Sequence, residues 1–337
     1  MIIGFLKKKL QWISEIMPFI IKAILHGFDL KLVQDNIKEI NSKDIICLIP
    51  VKNEAVRLPF LIEYYRKLGI NHFILIDNNS SDNPYAFTCD QADITVFYTD
   101  ASYKKSNYAV HWINYLLLRY GCGHWCLVCD SDEFLVYPYM ESRNLHELTA
   151  YLESRNENSF STPMIDFYSD LLITDKIYHA GVNPLTICSF FDACAYHKNY
   201  SPYYHNIFMQ GGVRRRVFFK KSSNEAPAMN KVSLVKWKFY FAFVKSTHML
   251  IPRRLNRVIS KTKVSGALLH FKFLNDFKRK VEDEMVNKQH WNNSYEYLQY
   301  KSALDSEEFL FNPEISERYK DWTTLLDFGF INLGEWV

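Results

Sequence analysis

Asp130-Ser131-Asp132-Glu133 closes an apolar run, Trp125-Cys126-Leu127-Val128-Cys129, that reads as a buried strand. On extended backbone, side chains alternate, so Asp130 and Asp132 are expected to point the same way, about 7 Å apart. Two carboxylates at the carboxyl end of a strand can hold a hard divalent cation through oxygen. Such a cation is a natural partner for a diphosphate, and ligands of open α/β sheets gather at that end of the strands. A D-x-D alone is equally well explained as a polar turn, so the elements around it must decide.

Those elements alternate. Asp44 to Pro50 reads as a buried strand followed by the polar loop Val51-Lys52-Asn53-Glu54. Leu58 to Leu68 has helical periodicity and stops at Gly69. His72 to Asp77 is a second buried strand, ended by the turn cluster Asn78-Asn79-Ser80-Ser81-Asp82-Asn83-Pro84. Ile94 to Tyr98 is a third strand, Tyr108 to Tyr120 an amphipathic helix, and the strand into Asp130 the fourth. This order predicts an α/β fold with a mostly parallel central sheet flanked by helices. In such a sheet Asn53, Glu54, Asp77, Asp130 and Asp132 converge on one edge, where a nucleotide could lie. Beyond Glu133 the pattern predicts a helix over 145–153, strands over 160–168 and 267–273, and a strand carrying Arg214, Arg215 and Arg216 after Gly211-Gly212. It predicts a loop over 180–204, a strand or strand pair over 231–249, and a helical C-terminus.

With 337 residues and 48% hydrophobic content, the chain can bury a large core. Its net charge of +3 hides an asymmetry: from Val213 to Lys280 there are 18 Lys or Arg and two acids, Glu225 and Asp276. A basic block of this kind suits phosphates, an anionic acceptor or a membrane surface. Seven irregularly spaced cysteines argue against a disulfide framework and for a reducing, cytoplasmic setting. Cys122, His124, Cys126 and Cys129 lie close in sequence, but two of them fall inside the apolar strand and no second cluster closes a zinc site. No run approaches the ~20 apolar residues of a spanning helix. The stripe Phe5, Leu6, Trp12, Ile13, Ile16, Phe19, Ile20, Ala23 and Ile24 suits either a membrane interface or docking on the protein itself. A P-loop, a complete dinucleotide fingerprint and an H-E-x-x-H are all lacking. The first loop also has no glycine, which counts against a nucleotidyltransferase.

Ile49-Pro50-Val51-Lys52-Asn53-Glu54, HFILIDNNSSD and DSDEF resemble the metal-dependent glycosyltransferases of the family-2 type, with the GT-A fold. Closer still is the bacterial branch near the family-92 domain, through KNEA (52–55), LIEYYRKLG (61–69), QGGVRRR (210–216), NKVSLVKW (230–237), STHMLIPRRLN (246–256) and LLHFKF (268–273). The resemblance spans Asp44 to the C-terminus. With the helical stripe before it, this gives an expected N-terminal helical arm (1–42), a GT-A domain (43–275) and a C-terminal helical extension (276–337). The resemblance also implies a hexosyltransferase that moves a sugar from a nucleotide-sugar, with uridine the expected base, to a glycan or glycolipid in bacterial surface polysaccharide or lipopolysaccharide synthesis, with inversion.

By the same resemblance Pro50, Lys52, Asn53, Glu54, Asp77, Asn79, Ser131, Arg214 and Arg216 would contact the donor. Asp130, Asp132 and His270 would bind Mn²⁺ or Mg²⁺, with His248 in reserve as the imidazole ligand. The metal, aided by Arg214, Arg216 or Lys236, would stabilise the leaving diphosphate. An inverting enzyme needs a carboxylate base. No E-D motif stands at the family's place for it, which leaves Asp192 and Asp166 as candidates. Peripheral contact with an anionic membrane is compatible with this reading, and no nucleic acid is expected. The rivals are a sugar nucleotidyltransferase and a catalytically idle glycan- or membrane-binding protein of the same fold.

Overall fold

The computed structural model describes residues 2–173, 177–203, 205–244, 246–256, 263–289, 291–306 and 309–336, without the side chains of 2–13 and 291–293. Phe5, Leu6, Trp12 and Ile13 of the N-terminal stripe, and Lys245, Arg257 and Lys261 of the basic block, therefore lie outside what is described. After a first helix, α1 (Ile2–Gly27), and β1 (Lys31–Gln34), the chain runs β2 (Ile45–Val51), α2 (Leu58–Leu68), β3 (His72–Asp77), the short α3 (Tyr85–Thr88), β4 (Ile94–Tyr98), α4 (Val110–Leu116) and β5 (Trp125–Val128). Then come β6 (Glu133–Val136), α5 (Leu145–Ser154), β7 (Ser159–Asp166), β8 (Phe190–Asp192), β9 (His197–Ser201) and β10 (Asn206–Gln210). β11 (Asn230–Lys236), β12 (Ala242–Phe243), β13 (Leu250–Ile251), β14 (Ala267–His270), α6 (Phe277–Asn287), α7 (Trp291–Asp305), β15 (Ser316–Arg318) and α8 (Trp322–Asp327) complete it.

Nine strands form one sheet in the order β1-β4-β3-β2-β5-β11-β7-β14-β6. β2, β3, β4, β5, β7 and β14 run one way, and β1, β11 and β6 the other. The period of two decides which face each residue covers. Ile45, Cys47, Ile49, Val51, Phe73 and Leu75 pack with Leu58, Leu61, Ile62 and Tyr65 of α2 and Leu145 and Leu148 of α5. Ile46, Leu48, Ile74 and Ile76 pack on the other face with Val110, Trp112 and Ile113 of α4. Both faces are thus covered, which is why these strands carry unbroken apolar runs. Burying one such side chain contributes roughly 1.5–3 kcal/mol, so a charge at fully buried Leu48 would break the sheet at its centre. This is the α/β architecture, mostly parallel and flanked by helices, that the sequence pattern predicts.

Where expectation and structure differ, the site is affected. The acids after β5 do not sit on extended backbone. They occupy a tight turn in which the Glu133 amide donates to the Asp130 carbonyl at 3.1 Å, and the chain reverses into β6. Val128 and Glu133 are five residues apart, a span of at most ~17 Å. Yet β5 and β6 stand four places apart in the sheet, about 19 Å if it were flat. The sheet must therefore curl, bringing its far edge back over the D-x-D turn. Arg214 to Phe218 is a helical turn, not a strand; Val213, Val217 and Phe218 are buried together, and that spacing is helical. The expected loop over 180–204 contains β8 and β9, and β9 pairs with β10. The polar, exposed residues of β9 hid it from an apolar-run reading.

Candidate functional site

Five strand ends meet above the curled sheet. β14 pairs in parallel with β7, so His270 stands beside Asp166, and it pairs antiparallel with β6, so His270 also stands beside Glu133. β11 runs against β5 and β7, which brings its first residues, Asn230 and Lys231, to the same edge as the last residues of those strands. The turn after β5 supplies Asp130 and Asp132.

The result is a chain of alternating charges. His270 Nδ1 lies 2.6 Å from Asp166 Oδ1, and its Nε2 lies 3.4 Å from Asp132 Oδ2. Asp166 is held on its other oxygen by Arg214 Nε at 2.8 Å. Asp132 Oδ2 also lies 3.9 Å from Arg57 Nη1. Arg57 in turn meets Glu54 at 3.0 Å, Asp276 at 2.6 Å and the Phe271 carbonyl at 2.9 Å. Lys280 bridges Glu54 and Asp276 at 2.6 and 3.0 Å. A second group joins Lys231 Nζ to both Glu133 oxygens at 2.6 Å and to Asp130 Oδ2 at 3.0 Å. Lys231 is buried and Asp130 half exposed.

These distances set the charge states. Burial works against the His270 imidazolium, but Asp132 and Asp166 outweigh it and raise the ring to about 9. Burial likewise opposes the Asp132 carboxylate, yet His270, Arg57 and Lys280 hold it well below the usual carboxylate range. Asp166 is lowered against its burial by Arg214 and His270. Burial would strip the charge from Lys231, but Asp130 and Glu133 keep it protonated.

Three donors of the kind that take Mn²⁺ or Mg²⁺ therefore face one edge: Asp130, Asp132 and His270. Asp166 at Nδ1 fixes the direction of His270 in the way a carboxylate supports a ligating imidazole, and a cation at Nε2 would take the place of the proton that now faces Asp132. Among the described residues no three His, Cys, Asp or Glu side chains already surround a common point. The donor set nonetheless suits the cation in kind. His270 Nε2 and Asp132 Oδ2 are adjacent at 3.4 Å, and Asp130, in the same turn as Asp132, is half exposed and held by Lys231.

The remaining sequence-selected residues are scattered more widely. Asn53 adopts φ 56°, and its Oδ1 accepts from the Ser81 amide at 2.7 Å, while its own amide donates to Ser80 Oγ at 3.0 Å. The loops after β2 and β3 are thus laced together beside Pro50 and the exposed Lys52 and Asn79. Asp77 is buried and accepts from the Ser80 amide at 3.0 Å. Ser131 is buried in the acid turn. Glu54 is engaged by Arg57 and Lys280 rather than free. His248 is turned to the Asn230 carbonyl, and burial, aided by Lys231, keeps its ring neutral, down to about 4.

Neither expected base is available as it stands. Asp166 has both oxygens occupied and is 1% exposed. Asp192 is equally buried, gripped by Arg216 at 2.9 Å through both oxygens and by the Tyr168 hydroxyl. Arg216 is thereby committed to Asp192, and Arg214 to Asp166. Lys236 pairs with Glu153 at 2.6 Å at the opposite end of β11; because that strand is antiparallel, Lys231 and not Lys236 reaches the edge. Gly211 and Gly212 face Tyr196, where a Cβ on Gly211 would come within 2.6 Å of the ring, so their smallness serves packing. Arg57, Lys231, Asp276 and Lys280 have no individual role expected from the sequence, although Lys231 and Lys280 belong to the basic block. The signal available for them was an unmatched surplus of cations around acids on loops that a parallel sheet brings together.

An α/β sheet with an acid- and imidazole-bearing edge is the class that the fold and site define. No protein-family model and no curated protein sequence matches the chain. Among solved structures, part of it is similar to a mannosyltransferase from Pyrobaculum calidifontis in complex with GDP-mannose and Mn²⁺, at 15% identity and TM-score 0.28, over 43% of this chain and 44% of that one. Part is also similar to a 4-diphosphocytidyl-2C-methyl-D-erythritol synthase, at 11% identity and TM-score 0.26, over 43% of this chain and 68% of that one. The match spans less than half the length of the mannosyltransferase.

Proposed function

We propose that the chain is a metal-dependent glycosyltransferase that moves a sugar from a nucleotide-sugar to a hydroxyl of a glycan or glycolipid acceptor. The observation that carries this reading is the placement of Asp130, Asp132 and His270 at one sheet edge, with His270 aimed at Asp132 by Asp166. The ordered motifs from Ile49 to Phe273 support it independently. Asp130, Asp132 and His270 would hold Mn²⁺ or Mg²⁺, which when bound neutralises the charge that develops on a leaving nucleoside diphosphate.

The protein's own groups do the rest. Asp166, itself held by Arg214, keeps the imidazole ring in place, and Arg57 lies 3.9 Å from the same Asp132 oxygen that faces His270. Lys231 keeps a positive charge beside Asp130, where it adds to the electrostatic stabilisation of a diphosphate. The laced loops around Asn53, Asp77 and Asn79 border the place of the nucleoside. Asp192 and Asp166, the candidates to take the acceptor's proton, are each held in a buried ion pair, and a base role for either requires that contact to open.

The test is product release. Incubation with a panel of nucleotide-sugars and Mn²⁺ should liberate one nucleoside diphosphate, and Asp132→Ala should abolish this while remaining folded. Release of pyrophosphate from a nucleoside triphosphate and a sugar phosphate would instead establish a nucleotidyltransferase.

A further inference from the structure

The first helix has two apolar faces, and the protein covers one of them. Ile16 and Ala23 are 2% and 0% exposed, and Phe19 and Ile20 are packed beside them. The C-terminal end of α1 is pinned in rotation. A Cβ on Gly27 would meet the Tyr115 ring of α4 at 2.4 Å, His26 stacks on His111 with centroids 4.9 Å apart, and Asp29 accepts from Trp112 Nε1 at 3.4 Å. Of the expected amphipathic stripe, Ile16, Phe19, Ile20 and Ala23 form the docked face, whereas Ile24 is 48% exposed on the other.

The other face is a second stripe. Met17, Ile21, Ile24, Leu25 and Phe28 recur at the spacing of one helical side, and their exposures are 41, 49, 48, 61 and 84%. Leu32 and Val33, on the edge strand β1, continue the patch with exposures of 44 and 54%. The charges along α1 beside it are mostly basic, and the exposed Asp35 and Glu39 lie beyond the end of β1. Lys22 and Lys31 are exposed within the patch, and Lys7, Lys8 and Lys9 lie upstream on the same helix. Glu15 pairs with Arg253 at 3.0 Å, and Asp29 with His26 at 2.8 Å.

We propose that this face of α1 lies in the interface of an anionic lipid membrane. Apolar side chains would enter the acyl boundary while lysines meet the headgroups, the arrangement by which amphipathic helices bind such surfaces. Among the described residues no helix is long and apolar enough to cross a membrane. A second copy fits the patch less well, because two like-charged faces would bring lysines against lysines. The inference rests on nothing in the sheet-edge site and stands or falls separately from the proposed activity.

The test is sedimentation of the full chain with vesicles of phosphatidylcholine alone and of phosphatidylcholine with roughly a third phosphatidylglycerol. The wild type should bind the anionic vesicles, and more weakly as salt rises. The double variant Leu25→Asp/Phe28→Asp should lower that partition by about 10-fold or more, and Lys22→Glu should lower it less and reduce its salt dependence. Circular dichroism should show both variants folded, since the altered side chains are exposed. Failure of the wild type to bind anionic vesicles, or undiminished binding by the folded double variant, would overturn the proposal. A wild-type dimer that the double variant dissolves, without vesicle binding, would assign the face to a second copy instead.

Discussion

Arg57→Ala is the perturbation from which the site's architecture predicts the most. Arg57 is 2% exposed and holds Glu54, Asp276 and the Phe271 carbonyl within 3.0 Å, with Asp132 at 3.9 Å. Truncation does not orphan every acid: Lys280 stays within 3.0 Å of Glu54 and Asp276, and His270 stays 3.4 Å from Asp132. What is lost is the shared cation and the satisfied Phe271 carbonyl. Breaking one side of a buried ion pair costs about 3–5 kcal/mol, and with Lys280 remaining the lower end applies, about 3 kcal/mol. For a urea m-value of roughly 3 kcal/mol per M, the unfolding midpoint should fall by about 1 M. Arg57→Lys should recover less than half of this, because an ammonium cannot span partners that a planar guanidinium holds together. Equilibrium urea unfolding followed by tryptophan fluorescence and circular dichroism reads both variants. A midpoint for Arg57→Ala within ~0.3 M of wild type, or full restoration by lysine, would refute the view that Arg57 is the buried hub between α2, the acid turn and the start of α6.

Three further outcomes are expected. Asp166→Asn should weaken Mn²⁺ binding by about 10–100-fold in the folded variant, through loss of the His270 orienting contact; unchanged affinity by electron paramagnetic resonance titration would show that Asp166 supports only Arg214. Asp192→Asn should destabilise the protein by about 3 kcal/mol through its buried pair with Arg216 while leaving nucleotide binding intact; wild-type stability with lost turnover would make Asp192 a base after all. His111 is 5% exposed and stacked on His26, and burial, followed by the charges of His26 and Lys22, lowers its ring to about 4. The unfolded chain takes up this proton near pH 6.5 and the folded chain only near pH 4, so stability should fall as pH drops through that window. His111→Phe should flatten that limb of a pH–stability curve by about 2–3 kcal/mol, and an unchanged curve would contradict the assignment.

Much of the scaffold was legible because its strands are buried on both faces. β2, α2, β3 and β4 fall within a residue of their expected bounds, and Gly69 ends α2 at φ 101° as a left-handed cap. The convergence of acids on one edge follows from that parallel order alone. What could not be read depends on pairing across long sequence distance. That Asp130 and Asp132 lie in a turn, and that β6 returns beside β14, requires knowing the partner of Glu133. Lys231 and Lys236 share one strand, and only its antiparallel placement decides which reaches the site. The burial of Asp192 depends on Arg216 and Tyr168, which lie 24 residues from it on either side. Exposed strands such as β1 and β9 carry no apolar run to announce them.

The central claim is that the edge bearing Asp130, Asp132 and His270 takes a nucleotide diphosphate with a divalent cation. Isothermal titration calorimetry with nucleoside diphosphates and nucleotide-sugars, in Mn²⁺ and then in EDTA, on wild type and Asp132→Ala, tests it most directly. One nucleotide class should bind the wild type in Mn²⁺, and that binding should be lost in EDTA and in the folded variant. Binding that ignores both the metal and Asp132, or no nucleotide binding by folded wild type, would contradict it.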